Sequence, residues 1–186
     1  MNDVLLTSEN YIRDFTNVSD NLAGKFLLSS IREAQEGPLR ETLGDCIVDA
    51  LKRMVGDGSI NDPANVAYKA LLDRIQPLLA YIALTNVVMK VSYKIDNFGL
   101  SRTTDENQTF ASFDEVAKAQ FFYQSKADVC TASVQRWLIE NRAAFPELQD
   151  CDCRKLKANL VSAASCGIWL GGPRGKGPQR RGGRRR

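Results

Sequence analysis

The sequence contains no histidine, and this absence narrows the chemistry open to a chain of 186 residues. Histidine is the most frequent general base in enzymes, the base of the usual Ser and Cys triads, and a common metal ligand. The acidic residues do not form a recognisable acid–base pair either. We therefore expect no enzymatic activity, no catalytic residues and no cofactor.

The five cysteines lack the spacing of a metal site or a disulfide framework. Cys151 and Cys153 form a C-x-C pair with Cys166 downstream, whereas structural zinc sites usually take four ligands from C-x2–4-C pairs. Residues 172–177 have the glycine gap of a phosphate loop, but Pro178 follows where that loop has lysine. We predict neither a metal site nor a nucleotide site. The cysteines are expected to be ordinary thiols in a reducing compartment.

Long apolar runs are also scarce. None approaches the ~20 residues that a membrane span needs. The opening MNDVLLTSEN carries an acid where a signal peptide has a basic region. The sequence therefore predicts no membrane partner.

Acidic residues are missing from residues 171–186, which contain only Gly, Pro, Arg, Lys and one Gln. This segment holds seven of the 25 basic residues and leaves 18 basic against 22 acidic residues elsewhere. Such a composition cannot bury enough apolar surface to fold by itself. We predict an extended C-terminal arm over residues 166–186 that meets an acidic protein surface or DNA. Its basic residues are Arg174, Lys176, Arg180, Arg181, Arg184, Arg185 and Arg186.

Ile168, Trp169 and Leu170 form a compact apolar group ahead of these charges. Two alternatives follow from this placement. The group either packs back on its own helical core, or docks into a pocket of a neighbouring subunit and directs the arm.

Apolar residues recur at helical spacing through most of the chain and predict a mainly all-α helical bundle. Thr7 or Ser8 is expected to start the first helix, and Ser19 or Asp20 to cap the second. Ser112 is expected to cap the longest helix, running to about residue 144.

Prolines and apolar residues indicate where the helices in the middle of the chain begin and which of them is buried. Pro63 is expected to begin a helix, and Pro77 to kink it or to begin another. Residues 78–91 are almost entirely apolar, which predicts a helix buried in its own fold or shared with neighbouring subunits.

Residues 92–112 interrupt the helical pattern with strand-like alternation, a turn with Gly99, and a candidate returning strand at 108–110. We predict an inserted β-hairpin or long loop that contacts a neighbouring molecule. The contact residues are expected to be Tyr93, Phe98 and Phe110. The chain then divides into a helical domain, residues 1–165, and the C-terminal arm.

Several segments together resemble the head–tail connector (adaptor) proteins of tailed bacteriophages. LLTSENYIRDFTNVSDNL, SSIREAQEGPLRETLG and DCIVDALKRMV are similar to the opening of those proteins, with an I-x-x-A-Q motif ahead of L-x-x-x-L-G. The later YKIDNFGLS, FASFDEV and FFYQSKADVCTASVQRWLIENRAAFPEL are similar to larger members from phages of gut bacteria. The motif residues are Ile31, Ala34, Gln35, Leu39, Leu43 and Gly44.

The resemblance covers most of residues 5–148 and implies a structural virion protein made in the host cytoplasm. It implies a helical subunit that forms a ring, typically of twelve copies, below the phage portal protein. Such a ring joins the capsid to tail components and extends the channel for packaged DNA. On this basis the apolar group at 168–170 would dock on the portal or on a neighbouring subunit.

An alternative function follows from the arm alone. Arg-Gly sequences resemble the RGG tails of nucleic-acid-binding proteins, although such tails normally repeat and carry aromatic residues. The second hypothesis is therefore a small nucleic-acid-binding protein with a helical body.

Overall fold

The computed structural model describes residues 4–96, 99–102 and 111–148, and this part of the chain is mainly α-helical. The predicted fold class is confirmed. The C-terminal arm lies outside the described residues. The helices are α1 (Glu9–Phe15), α2 (Gly24–Glu36), α3 (Pro38–Leu43), α4 (Asp45–Asp57), α5 (Val66–Ser92) and α6 (Phe113–Glu140), with strands β1 (Tyr93–Asp96) and β2 (Gly99–Arg102) between α5 and α6.

Helix α5 is the centre of the bundle because other helices cover it on different sides. Its first half packs with α3, α4 and α6 in one core cluster, through residues such as Leu71 and Ile75. Its second half packs with α1 and α2 in another, where Ala83 and Leu84 meet Ile31. The apolar stretch at 78–91 is therefore largely covered by the chain's own helices, which is the first of the two predicted explanations.

By length and composition alone, the helical stretch Pro63–Ser92 could cross a membrane, which the sequence prediction did not anticipate. Half of its most apolar window is buried inside the bundle. The packing of α5 accounts for this composition, since a core helix passes the same test. A single helix of this kind is weak evidence for a membrane.

A buried glutamine joins the extended segment before α1 to α2. The side-chain oxygen of Gln35 accepts from the Leu6 amide at 2.8 Å, and its Nε2 donates to the Val4 carbonyl at 2.9 Å. Gln35 is only 1% exposed. Both ends of the buried amide are thus bonded, which avoids the cost of an unpaired polar group.

The start of α2 differs from the prediction. The helix begins at Gly24, and neither Ser19 nor Asp20 caps it. The Ser19 hydroxyl instead accepts from the Asn21 amide. Arg13 donates to the carbonyls of Ser19 and Leu22, both at 2.7 Å, and this holds the connection as a turn.

Helix α5 continues through Pro77, so of the two predicted alternatives, a kink or a new helix, the new helix is wrong. It also begins at Val66, after a 3-10 turn over Pro63–Asn65. An internal proline removes one helical hydrogen bond and costs roughly 3 kcal/mol. Ile75 and Leu78 on either side are fully buried, and burying each such side chain stabilises by about 1.5–3 kcal/mol. The burial of these side chains therefore offsets the cost of a proline inside the helix.

The predicted hairpin is present, but its strands are closer together along the chain. Strands β1 and β2 pair antiparallel, with Tyr93 opposite Arg102 and Asp96 opposite Gly99. The strand that pairs with β1 is therefore β2, and the candidate returning strand at 108–110 lies outside the described residues.

Helix α6 begins as predicted and ends four residues earlier than expected. Ser112 and Glu115 form a capping box, in which each side chain bonds the backbone of the other. At the far end, the backbone amide and the side-chain amide of Asn141 both donate to the carbonyl of Trp137. These bonds close the helix, and a 3-10 turn over Arg142–Ala144 follows.

Phe145 fixes the segment after α6 to the core. Its fully buried ring lies edge-on to Tyr68 at 5.0 Å and to Trp137 at 5.9 Å between centroids. The Tyr68 hydroxyl donates to Glu147 Oε2 at 2.6 Å. Burial, together with this carboxylate, raises the pKa of Tyr68. The described chain is therefore anchored to α5 up to Leu148.

Candidate assembly surface

Helix α6 has one buried side and one apolar exposed side. Val116, Ala127, Val134 and Leu138 are buried against the rest of the bundle. Tyr123 and Trp137 are partly buried and pack against the core clusters, whereas four other large apolar side chains are exposed. Phe121 is 74% exposed, Val129 69%, Phe113 69% and Phe122 55%.

This exposed side is unusual because its apolar residues are clustered. Single exposed apolar residues are normal, whereas contiguous ones mark interaction sites. Within the described ranges, the other large exposed apolar side chains are Phe15, Val66 and Val91, which lie on α1 and at the two ends of α5. We call the exposed set Phe121, Phe122 and Val129 the α6 face.

Charged and polar groups border the α6 face. The Lys126 ammonium lies 5.5 Å from the centre of the Phe122 ring. Lys118 forms an ion pair with Asp114 one turn away, and the Gln124 amide donates to Asp128 at 2.9 Å. An apolar centre with a mixed-charge border is the pattern of protein–protein interfaces.

A second surface feature is an open groove of about 570 Å³ beside the N-terminal segment. Thr7, which is 4% exposed, belongs to its lining, and no hydrogen-bond partner of the Thr7 hydroxyl is found. Glu9 is the titratable residue of the lining and lies 3.9 Å from Arg13. The lining residues are Leu5, Leu6, Thr7, Ser8, Glu9, Asn10, Leu28, Val55, Leu72 and Gln76.

The groove does not assemble the paired groups that acid–base chemistry uses, and half of its ten lining residues are aliphatic. In the part of the chain that the structure describes, no group of three or more potential metal ligands comes together. The α6 face is therefore the more distinctive candidate for function.

Comparison with known protein families finds a match over the later helices of the bundle. A family model described as a family of unknown function (DUF6712) matches residues 39–158, well over half of the chain. The chain belongs to the DUF6712 family. The matched region contains α4, α5 and α6, and hence the whole α6 face. No curated protein and no solved structure matches the chain.

Among the predicted hairpin contacts, only Tyr93 falls on described side chains. It is partly buried, and its ring lies 6.5 Å from that of Phe113, at the start of α6. Phe98 and Phe110 lie outside the described residues. The structure thus places Tyr93 beside the DUF6712 region's longest helix.

The predicted docking group Ile168, Trp169 and Leu170 also lies outside the described residues, as do all seven basic residues of the arm. Cys151, Cys153 and Cys166 lie there too. The described cysteines, Cys46 and Cys130, are free thiols. The arm's role therefore stays a prediction.

The residues predicted from the sequence did not include the α6 face, although the sequence contained a signal for it. The predicted apolar stripe of this helix runs through Val116, Ala127 and Val134, which are buried. Phe121 and Val129 stand off that stripe by more than a quarter of a helical turn. Large apolar residues off the core stripe were the indication of a second surface.

Proposed function

We propose that this protein is a structural virion protein, a ring-forming head–tail connector of a tailed bacteriophage. It would dock below the portal protein, extend the DNA channel and join the capsid to tail components. The observation that carries this proposal is the α6 face. The resemblance to connectors supplies the biological setting, a homo-oligomeric ring of about twelve copies in the virion.

The α6 face suits assembly because the helix beneath it is firmly held. The capping box of Ser112 and Glu115 closes its first turn, and Phe145 is buried just beyond its end. A rigid surface loses little conformational entropy when a partner binds. The exposed apolar side chains are thus presented ready for contact.

Charge supports a role for the C-terminal arm in the same assembly. Residues 171–186 are purely basic, whereas the rest of the chain has more acidic than basic residues. Opposite charges on two parts of one chain favour association between copies, or with another acidic surface such as the portal. Packaged DNA is a further polyanion in the channel.

The proposal is tested by measuring mass with the full-length protein. We expect a large, discrete particle by light scattering, either alone or after the portal protein of the same phage is added. Phe121→Ser combined with Val129→Ser should prevent this particle while the far-UV circular dichroism stays unchanged. Val66→Ser, which changes a residue at the start of α5 that is 64% exposed, serves as the matched control.

The alternative, a nucleic-acid-binding protein, gives a different result. It would bind oligonucleotides without forming a ring, and its affinity would fall steeply with salt as counterions are released. Tight, salt-sensitive binding by a chain that never joins a ring would contradict the connector proposal.

A further inference from the structure

Seven residues on the solvent side of α6 follow a spacing that is the same in both directions from its middle. Counting outward from Ser125, the next positions are reached by steps of four, three and four residues towards either end. At about 100° per residue, all seven lie within an arc of roughly 80°. They are Asp114, Lys118, Phe121, Ser125, Val129, Ala132 and Arg136.

We propose that the unassembled protein forms a two-fold symmetric dimer through antiparallel pairing of α6 from two copies, with Ser125 on the axis. In this register, Phe121 of each copy lies opposite Val129 of the other. A symmetric interface repeats every contact, so the Phe121–Val129 pair forms twice.

Exposure and size support this pairing. Phe121 and Val129 are among the most exposed large apolar residues of the described chain, at 74% and 69%. Ser125 and Ala132 are small, so two helices can approach closely along this line. The dimer therefore covers apolar surface that the bundle leaves in water.

The charges fit the antiparallel direction. Asp114 near one end of α6 faces Arg136 of the second copy near its other end, and this pair also forms twice. Lys118 faces Ala132, which its aliphatic stem can cover while its ammonium remains near Asp114. A parallel pair in register would instead bring Asp114 against Asp114 and Arg136 against Arg136, which is unfavourable.

The dimer has a consequence for assembly. A symmetric contact is closed by two copies and cannot be repeated around a cyclic ring. The dimer is therefore a form of the free protein that covers the α6 face until a partner displaces it. This inference depends on the pattern of α6 and stands independently of the connector proposal.

Charge exchange in the full-length protein tests the register. The mass of the wild type in sedimentation experiments should approach twice the 20.7 kDa of one chain at roughly 100 μM. Asp114→Arg alone or Arg136→Asp alone should weaken the dimer by about tenfold or more, since each creates two like-charge contacts. The two changes combined should restore it. Lys126→Glu, about 100° from the centre of the arc, is the matched control and should have little effect.

A cysteine at the axis gives a second measurement. Ser125→Cys should form a chain-to-chain disulfide with itself under mild oxidation, faster than Lys126→Cys and faster than the native thiols of the wild type. Mass spectrometry should find residue 125 joined to residue 125.

Several outcomes would overturn the dimer. These are a monomer at every concentration, a dimer that both single charge changes leave intact, a double variant that is not restored, or a cysteine at 125 no more reactive than at 126. A monomer with residues 149–186 cross-linked to α6 would show that the arm covers this side. If the chain joins a portal ring yet never dimerises, only the dimer proposal is contradicted. If the dimer forms but never joins a ring, only the connector proposal is contradicted.

Discussion

Arg40 shows how a single side chain can connect three helices. Its guanidinium, near the end of α3, bonds Glu36 on α2 and Asp45 and Asp49 on α4, at 2.8, 3.1 and 2.8 Å. Lys52 completes the group through a 2.6 Å contact with Glu36. Hydrogen bonds from Lys52 and Arg40 lower the pKa of the Glu36 carboxyl to about 2 from its ordinary 4.5. The corner between α2 and α4 is therefore held by ionised groups.

The Glu36 carboxyl should give a measurable pH dependence of stability. Because its pKa is lower in the folded state, its stabilising contribution is complete above about pH 4.5 and is lost as the pH falls towards 2. The side chain is 47% exposed, so solvent screening limits the effect to about 1 kcal/mol or less. In urea unfolding, the stability difference between wild type and Glu36→Gln should be constant near pH 6 and shrink below pH 4.5.

Glu140→Gln, a change at an exposed carboxylate at the end of α6, provides the control for this titration. A difference for Glu36→Gln that stays the same from pH 6 to pH 2 would contradict the assigned role.

At the scale of elements, the side chains that cap helix N-termini could be predicted, because each bonds an amide only three residues away. Ser8 accepts from the Tyr11 amide and Ser112 from the Glu115 amide, as their positions in the sequence indicate. The cap of Ser112 matters most, because it begins the helix that carries the α6 face. Removing this cap should therefore lower the stability of the protein by a measurable amount.

Replacing the cap should weaken the protein without unfolding it. Ser112→Ala should lower the free energy of unfolding by about 1 kcal/mol, because the Glu115 amide loses its acceptor. Ser133→Ala, at an exposed position inside α6, should be neutral or slightly stabilising, since alanine is the better helix former. Chemical denaturation of both variants measures the contrast. Equal effects at the two positions would show that the capping box contributes nothing.

Features set by more distant contacts were not predictable from local pattern. The start of α2 depends on Arg13, six and nine residues from the carbonyls it binds. The continuity of α5 through Pro77 depends on packing by helices far along the chain. The spacing of apolar residues correctly predicted helix in α2 and in α5. The start of α2 and the continuity of α5 were decided by side chains that only the fold brings together.

At the scale of the whole molecule, the described bundle has core clusters of its own. Its core closes at Phe145, and the Tyr68–Glu147 hydrogen bond joins residues 79 positions apart. Composition alone predicted a folded body with an appended basic segment, and the arm lies outside the described residues. The α6 face did not follow from composition or from the core stripe alone, because it also depends on how exposed Phe121 and Val129 are in the folded chain.

Removing residues 171–186 should therefore separate folding from assembly. Helical circular dichroism and the melting temperature should stay nearly unchanged, whereas ring formation with the portal should weaken. Trp169→Ala keeps every arginine and tests the apolar group by itself; loss of docking in this variant would assign that contact to Ile168–Leu170 and not to charge. A truncated chain that fails to fold would show that the arm belongs to the core.

The central position of α5 also matters while the protein is being made. Its apolar surface needs α6 as a cover, yet Glu140 is synthesised 48 residues after Ser92. At about 5–20 residues per second, this delay lasts several seconds on the ribosome. During that interval a strongly apolar helix emerges with one side uncovered. We therefore expect the nascent chain to be a chaperone client, and slower translation of residues 93–112 to increase aggregation.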